Sequence, residues 1–321
     1  MSKGIAFLGS LILDKVYTVS LYPQVGALTP IHAIEKSVGG LAANDAIDVK
    51  KLCPSVPCYT VGRVGNDADG EFVLDFIKSA GVDVSMVKKV EGEATAFTDV
   101  ISIAGGQRTF FTYSGANAGF GYNDVPWDSL ECDILHLGYF LLLDKIDAGD
   151  GEKILKEASR RGIKTSIDLV SEDSDRYSIV VPVLKYVDYL IVNELEAGAL
   201  AGIKATDDNL VEIANKLLSL GVRDRVIIHC PARGVCVSRE GAVELASYKL
   251  PDGFIKGTAG AGDAFCSGAL LGLLEGKGDP EILEYAQLAA ISSLRSVDCT
   301  SAVESIETLK ECFGDFKRIG E

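Results

Sequence analysis

The sequence predicts an α/β fold in which a doubly wound, mostly parallel sheet is flanked by helices. Short apolar runs alternate with longer amphipathic stretches, the order expected of strands joined by crossover helices. The chain has 321 residues, 47% hydrophobic and 24% charged, so it can bury a large core. Because no linker, low-complexity tract or internal repeat interrupts the pattern, we expect a single domain over residues 1–321.

The individual elements follow from this alternation, because buried strands are short and apolar whereas helices carry a periodic apolar face. Strands are predicted at residues 5–9, 58–62, 134–137, 165–168, 189–192, 225–229 and 235–237. Helices are predicted at residues 42–52, 70–79, 151–161, 194–200, 208–220, 263–275, 280–294 and 305–312.

Two segments break the alternation. Residues 11–36 and 94–115 are rich in Thr, Val, Tyr, Phe and Ile, which favour strands. Within the second, Ala104-Gly105-Gly106 between apolar runs predicts a hairpin turn. We expect both segments to form a small β-sheet that acts as a lid on the main domain. Because such a sheet leaves apolar surface and open edges, we also expect a homodimer formed through it.

The charge balance excludes some classes of partner. Lys and Arg total 31 against 46 Asp and Glu, a net charge of −15. This field repels phosphate backbones and anionic lipids, so neither nucleic acid nor a membrane surface is an expected partner. No apolar run approaches the roughly 20 residues of a membrane span, and residues 1–4 lead straight into a predicted strand. These features predict a cytoplasmic protein.

The cysteines and histidines give no sign of a metal centre. The eight cysteines include no Cys-x-x-Cys pair and no His at the usual zinc-ligand spacing. Reduced thiols are therefore expected, with Cys266 and Cys299 acting as compact hydrophobes in small-residue stretches. His136 falls within an apolar strand pattern and is predicted to be a core residue.

The densest chemical signal is the glycine-rich stretch at residues 257–262, GTAGAG, which precedes a predicted helix and Asp263. Small residues let a ligand approach the backbone, and the helix directs its first N–H groups at the same place, so the stretch predicts an anion site. It is not a Walker A loop, because Asp263 and Ala264 replace the required Lys and Ser or Thr. Beside such donors, Asp263 suits a general base, although a first-turn Asp favoured by the helix dipole is the simpler alternative.

Three longer motifs recur in a recognisable order. They are GGLAANDA at residues 39–46, GRVGNDADG at residues 62–70 and GAGD at residues 260–263. Shorter matches are Gly9-Ser10 through Asp14, Gly81-Val82-Asp83, Gly106-Gln107-Arg108 with Gly115-Ala116, and Asn193-Glu194-Leu195-Glu196. Together they resemble the PfkB, or ribokinase-like, family of carbohydrate and nucleoside kinases over nearly the whole chain. Each motif alone is weak, whereas the ordered set is specific.

The resemblance implies roles for individual residues. Asp263 matches the catalytic base, and the N–H groups of Gly260, Ala261 and Gly262 match the anion hole. On the substrate side, the matching residues are Asp14, which grips substrate hydroxyls, and Gly39, Gly40 and Asn44. Without the resemblance, Asp14 is equally a solvated loop residue and Asn44 a helix-start residue. Arg108, on a lid strand, could bind an anionic substrate group, but a solvated Arg is the simpler alternative.

The nucleotide side is implied in the same way. Asn193 and Glu196 match the family's Asn-x-x-Glu, which organises Mg²⁺ near the phosphates of ATP. Their spacing of three is equally that of a helix cap and its first-turn Glu, and this alternative stays open. The remaining residues expected near the nucleotide are His229, Gly234, Thr258 and Gln287.

The chain also departs from the family pattern. Gly257 stands where many members carry an Asp that helps to hold a monovalent cation, so activation by potassium is not implied. His229-Cys230-Pro231 replaces the Thr-x-Gly nucleotide loop. Ile12 and Leu41-Ala42 differ from the residues of ribokinases at these positions, which argues against ribokinase itself.

These observations predict an ATP-dependent kinase that phosphorylates a hydroxyl of a sugar or sugar derivative. One alternative is a nucleoside kinase of the same fold, because the sequence does not measure pocket size. Another is a ligand-binding sensor with a kinase fold and no catalysis, which the altered nucleotide loop and Gly257 would allow.

Overall fold

The structure is a computed structural model that describes residues 2–103 and 108–321. Its strands, in chain order, are β1 (Ile5–Leu8), β2 (Ile12–Val19), β3 (Ile31–Gly39), β4 (Cys58–Val61), β5 (Arg63–Gly65), β6 (Lys88–Val90), β7 (Phe97–Ile103), β8 (Arg108–Tyr113), β9 (Ile134–Phe140), β10 (Lys164–Leu169), β11 (Tyr189–Asn193), β12 (Arg225–Cys230), β13 (Arg233–Ser238) and β14 (Gly241–Ala246). Its α-helices are α1 (Leu41–Leu52), α2 (Ala68–Ser79), α3 (Gly151–Arg160), α4 (Glu194–Ala201), α5 (Leu210–Leu220), α6 (Ala261–Leu274), α7 (Asp279–Ser293) and α8 (Ile306–Phe313).

The large sheet has eight strands in the order β14-β13-β12-β11-β10-β9-β1-β4. The six from β12 to β4 pair in parallel, and β13 and β14 join antiparallel at one edge. This confirms the predicted doubly wound, mostly parallel architecture.

The sheet is buried on both faces, which explains the uninterrupted apolar runs of its strands. In β1, Ile5 and Phe7 point into one core and Ala6 and Leu8 into the other, and all four are fully buried. The first core also contains residues of α1, α2, α6, α7 and α8, whereas the second contains residues of α3, α4 and α5. Helices therefore cover both faces of the sheet.

The strand order reverses at β1. The chain runs from β1 through α1 to β4 on one side of β1, and the later strands β9 to β12 extend from its other side. The connections after β1 and β9 diverge to opposite faces at this point, which opens a crevice at the carboxyl ends of the two strands.

A second, four-stranded sheet has the order β3-β2-β7-β8 and is formed by the two predicted β-rich segments. The predicted turn at Ala104-Gly105-Gly106 lies outside the described residues. Asn117 fastens the start of this sheet to the main domain, because its side-chain amide pairs with the backbone N–H and C=O of Leu11 at 3.3 and 3.0 Å.

The differences from the predicted elements have physical reasons. The run at 235–237 is a strand, but it pairs antiparallel with β12 because only two residues join β12 to β13. β14 was not predicted because it lies at the sheet edge and none of its residues is fully buried. β5 and β6, of three residues each, are too short for a periodic signal.

The described residues include no helix that is long and apolar enough to cross a membrane. All eight cysteines are free thiols.

Candidate active site

Asp263 lies in the first turn of α6, at the crevice beside β1. The turn before it requires glycine, because Gly260 has a φ of 76° and a side chain there would overlap the backbone of Cys299. The first N–H groups of a helix lack acceptors within the helix, and its dipole places partial positive charge there. The described geometry therefore puts a carboxylate and backbone donors from residues 260–262 in one place.

Two side chains from other elements hold the Asp263 carboxylate. Asn44, in α1, donates from Nδ2 to Oδ2 at 2.7 Å. The Tyr139 hydroxyl, at the end of β9, donates to Oδ1 at 3.1 Å and to Oδ2 at 3.4 Å. Burial raises the pKa of Asp263, and the two hydrogen bonds oppose this rise by stabilising the charged form. The carboxyl is thus a stronger base than an exposed Asp and is oriented from two sides.

Tyr139 is not among the site residues that the sequence motifs predict. Its backbone is left-handed, with a φ of 58°, and its N–H donates to Asp168 Oδ1 at 2.7 Å. This conformation is uncommon for a residue other than glycine and turns the hydroxyl into the site. No sequence pattern marks it.

Asp14 lies on β2 of the small sheet, with Gly39 beside it on β3. A Cβ at Gly39 would overlap the Asp14 carboxylate, and Gly40, with a φ of 88°, approaches the backbone of Ser10. Burial raises the pKa of Asp14 to about 6, and a hydrogen bond with Thr98 partly offsets this. Gly39 thus leaves room for the half-buried Asp14 carboxylate, and Gly40 leaves room for the Ser10 backbone.

Asp14 and Asp263 face a common region. Burial raises the pKa of Cys299 to about 12, and among the charges that add to this effect those of Asp263 and then Asp14 contribute most. Cys299 also contacts Gly260. The structure therefore brings together the predicted base, the glycines before it and the predicted substrate residues, including Asn44 through its bond to Asp263.

Arg108 is exposed at the start of β8. Its cross-strand neighbour is Ser102, whereas Asp14 pairs with Thr98, four residues earlier on the same strand. Four residues of strand span about 13 Å, so Arg108 shares the sheet face of Asp14 but lies well away from it. Its role in binding an anionic group stays a prediction.

Asn193 and Glu196 form a complete helix cap at the start of α4. Asn193 Oδ1 accepts from the N–H groups of Leu195 and Glu196 at 2.9 Å each, and Glu196 Oε2 accepts from the N–H of Asn193 at 3.1 Å. Ser171 joins them by donating to Glu196 Oε1 at 2.7 Å and accepting from Asn193 Nδ2 at 2.9 Å. Asn193 and Glu196 are therefore a helix cap, and this does not exclude that they also organise Mg²⁺.

A role in binding Mg²⁺ depends on a cavity of about 180 Å³ next to the cap. Asn193 and Glu196 line it together with Asp263, Asp168 and Ser171. Burial raises the pKa of Asp168 and of Glu196, and the charges of Asp263 and Glu196 add to the effect on Asp168. Three carboxyl groups around one small cavity suit a hydrated divalent cation with oxygen ligands, so the donor set fits Mg²⁺.

A larger cavity of about 460 Å³ adjoins the first and has the size of a small-molecule site. His229 and Gly262 line both cavities, and Thr258 and Gln287 line the larger one. The His229 ring stacks on Phe265 with 4.7 Å between centroids, and burial lowers its pKa to about 4. His229 is thus a neutral residue at the boundary between the two cavities.

Two of the residues predicted near the nucleotide, Gln287 and Gly234, do not offer free polar groups to the 460 Å³ cavity. The Gln287 amide is engaged within the protein, donating to the Leu245 carbonyl at 2.7 Å and accepting from Arg318. Gly234 lies behind the wall of the larger cavity, where a Cβ would be 3.4 Å from Phe265 and 3.6 Å from Gln287 Nε2. Both residues shape the wall of this cavity.

Comparison with known proteins gives a consistent result. A family model described as "pfkB family carbohydrate kinase" matches residues 2–306. A ribokinase of Schizosaccharomyces pombe is 30% identical to this chain, covering 98% of each protein, and a 5-dehydro-2-deoxygluconokinase of Clostridium perfringens is 25% identical, covering 88% of this chain and 86% of that protein. The ribokinase of Arabidopsis thaliana, solved in complex with ribose and ATP, superposes with a TM-score of 0.80 at 21% identity over 97% of this chain and 98% of that one. The chain therefore belongs to the pfkB family of carbohydrate kinases, and it is a phosphotransferase with an alcohol group as acceptor.

Proposed function

We propose that this chain transfers the γ-phosphoryl group of ATP to a hydroxyl of a sugar or sugar derivative, with Asp263 as general base. The observation that carries the proposal is the position of Asp263. It is a buried carboxylate held by Asn44 and Tyr139 in the first turn of a helix, and it lines the 180 Å³ cavity, which shares His229 and Gly262 with the 460 Å³ cavity. A base is needed at such a boundary between acceptor and donor.

The reaction assigns a task to each group. Asp14 accepts hydrogen bonds from hydroxyls of the acceptor, while Gly39 and Gly40 leave the room that the Asp14 carboxylate and the start of α1 need beside Ser10. Asp263 removes the proton from the attacking hydroxyl of the acceptor. The oxygen of that hydroxyl bonds to the γ-phosphorus as the bond from the γ-phosphorus to ADP breaks and ADP leaves. The backbone N–H groups of residues 260–262 stabilise the charge on the phosphoryl oxygens during transfer.

In this proposal ATP binds in the 460 Å³ cavity, which His229 and Thr258 line, and its phosphates extend towards the first turn of α6. Asn193, Glu196 and Asp168 would hold Mg²⁺ through its waters at the 180 Å³ cavity. The ion would neutralise phosphate charge there. Asp263 keeps its role as base because Asn44 and Tyr139 orient it independently of the cation.

The small sheet would close over Asp14 and the acceptor, so that water is excluded and the acceptor hydroxyl is phosphorylated instead. We also propose that the sheet forms a homodimer. Ile34, Phe111 and Tyr113 lie on the face opposite Asp14 and are 49–60% exposed. Light scattering should give the mass of a dimer for the wild type and of a monomer for Phe111→Ser. A wild-type monomer at assay concentration would contradict this part.

The proposed activity is tested by Mg·ATP turnover over a panel of pentoses, hexoses, ketoses, sugar acids, polyols and nucleosides. We expect ADP release that depends on one class of sugar and falls about 10³-fold in Asp263→Asn. The matched control is Asp48→Asn, because Asp48 is also fully buried but lies outside both cavities, and it should keep near-normal turnover.

Each other outcome selects a different conclusion. Near-normal turnover by Asp263→Asn would exclude Asp263 as the base. Release of ADP with nucleosides alone would make the protein a nucleoside kinase. Tight ATP binding with no ADP release from any compound would favour the non-catalytic sensor. The predicted cytoplasmic location stays a prediction.

A further inference from the structure

A second cluster of chemically active side chains lies in the core beside Asp263, and the proposed transfer does not use it. It consists of Asp45 in α1, His136 in β9 and Cys266 in α6, all at most 3% exposed. His136 Nε2 is 3.4 Å from Asp45 Oδ2 and 3.7 Å from Cys266 Sγ, and the three atoms lie within 4.8 Å of one another. One nitrogen, one oxygen and one sulfur thus converge on a single point.

The cluster leaves polar atoms without partners. The Asp45 side chain is completely buried, and neither of its carboxyl oxygens has a hydrogen bond of good geometry among the described residues, although the Cys266 thiol lies close enough to act as a donor. His136 Nδ1, which carries the proton when Nε2 binds a metal, has no acceptor in the same part of the chain, and the ring is oriented by an edge contact with Phe7. Buried unpartnered polar atoms of this kind call for a bound water or ion.

The distances match those of a tetrahedral metal site. With zinc bonds of about 2.0–2.1 Å to nitrogen, 2.0–2.2 Å to a carboxylate oxygen and 2.3 Å to sulfur, tetrahedral angles separate nitrogen from oxygen by about 3.4 Å and nitrogen from sulfur by about 3.6 Å. The corresponding distances in the cluster are 3.4 and 3.7 Å. The carboxylate oxygen and the sulfur, the remaining pair, lie within 4.8 Å of each other.

The donor set selects the class of metal. Imidazole and thiolate suit zinc and similar transition metals, whereas Mg²⁺ prefers oxygen ligands alone. A dication with one thiolate and one carboxylate has a summed charge of zero, which lowers the cost of burial compared with an isolated carboxylate. Burial also lowers the pKa of His136 to about 3, so its ring is neutral and able to bind metal.

The cluster is also reachable. Cys266 lines the 180 Å³ cavity, so an ion can enter from the solvent side, and a water in that cavity can supply a fourth ligand. Sequence spacing could not have shown this site, because its three ligands come from a helix, a strand and a second helix that are far apart in the chain.

We propose that Asp45, His136 and Cys266 bind one Zn²⁺ ion that ties α1, β9 and α6 together next to the active site. On binding, the Cys266 thiol and the Asp45 carboxyl release their protons to solvent. Asp45 follows Asn44, Cys266 is one helical turn after Asp263, and His136 is three residues before Tyr139. The metal therefore fixes the three elements whose side chains orient the proposed base, and the three ligands are positioning residues.

The experiment measures metal content and spectra of the full chain, with any affinity tag removed. After equilibration with zinc and desalting, the wild type should retain about one zinc per chain and Cys266→Ser less than about 0.2. Cys236→Ser is the matched control, because Cys236 is a fully buried free cysteine of β13, outside the cluster, and it should retain the wild-type amount. Replacement by Co²⁺ should give the wild type thiolate-to-cobalt charge-transfer bands and tetrahedral visible bands.

The cobalt spectrum of the wild type needs no variant, so the test stands even where Cys266→Ser folds poorly. Zinc should also raise the Tm of the wild type and of Cys236→Ser. A wild type that retains less than about 0.1 zinc per chain and shows no thiolate-to-cobalt band would overturn the proposal. Full zinc retention by folded Cys266→Ser would overturn it as well, because the metal would then lie elsewhere.

Discussion

Replacing Tyr139 by Phe removes one of the two side-chain donors to Asp263 without changing the ring. The hydroxyl contacts both carboxylate oxygens, at 3.1 and 3.4 Å. A hydrogen bond to a charged group contributes about 1.5–3 kcal/mol, and these contacts are longer than the usual distance for such a pair. The loss should therefore be near the lower end, about 1.5 kcal/mol, which corresponds to a rise of about one unit in the pKa of Asp263.

The sign of the effect on activity follows from the role of the base. Asp263 accepts a proton only when it is ionised, so a higher pKa moves the acidic limb of the kcat/KM profile to higher pH. At pH values below both limbs, Tyr139→Phe should be about tenfold slower than the wild type. At pH values above both limbs, the two proteins should have similar kcat/KM.

The assay is a pH series of kcat/KM for the acceptor sugar, with Tyr285→Phe as the matched control. Tyr285 is a buried tyrosine of α7 whose hydroxyl contacts Glu275 rather than the site. Its acidic limb should coincide with that of the wild type. An unshifted limb in Tyr139→Phe, or a limb moved to lower pH, would refute the inference that this hydroxyl stabilises the ionised base.

Three further predictions concern buried acids and a glycine. Burial raises the pKa of Asp14 to about 6, so KM for the acceptor should rise as the pH falls through that value, whereas Asp14→Asn should show a uniformly high KM without this dependence. Burial, followed by the charge of Asp263, raises the pKa of Asp48 in the folded state. Above pH 3.8 the Asp48 carboxyl is ionised in the unfolded chain but keeps its proton in the folded chain, so the wild type loses stability as the pH rises. Denaturant titrations should therefore show Asp48→Asn gaining stability over the wild type, by at most about 1.4 kcal/mol per pH unit. A stability difference between the two proteins that stays constant with pH would contradict the raised pKa. Gly39→Ala should raise KM for the acceptor at least about tenfold, because its Cβ overlaps the Asp14 carboxylate, whereas Gly278→Ala, which meets only ordinary contacts, should not change KM.

The sequence predicted the large sheet well because each parallel strand is buried on both faces and its composition shows this directly. Pairing direction carries no such signal. The apolar run 235–237 is compatible with either direction, and the short β12–β13 connection decides for antiparallel pairing. The same connection contains Pro231. The family resemblance identified it with the nucleotide loop but did not show that it is also the turn of a hairpin.

Sequence motifs could name residues of the candidate site but could not predict the contacts between them. Motif positions pointed to Asn44 and Asp263, which are 219 residues apart, but their hydrogen bond depends on how α1 and α6 pack. Tyr139 was not among the predicted site residues, because its contact with Asp263 arises from a left-handed backbone conformation that no residue pattern encodes. For Asn193 and Glu196, the helix cap and the proposed magnesium site involve the same two side chains, since the cap at the end of β11 also lines the 180 Å³ cavity.

The reversal of strand order at β1 explains why the acidic site can accept a highly charged donor. Both α1 and α6 begin at this crevice after a glycine with positive φ, Gly40 and Gly260, and neither has a side-chain cap. The N–H groups of Ala43 and Ala261 donate to the carbonyls of Gly40 and Thr258. The other N–H groups of the first turns lack acceptors within the helix and can serve a ligand, and each helix end carries about half a positive charge. The carboxyls of Asp263, Asp168 and Glu196 oppose this field from the 180 Å³ cavity. In the proposed reaction, backbone donors hold the anionic phosphate, and the carboxyls supply a proton acceptor and a place for a dication beside it. Neither task requires a lysine or arginine in the 180 Å³ cavity.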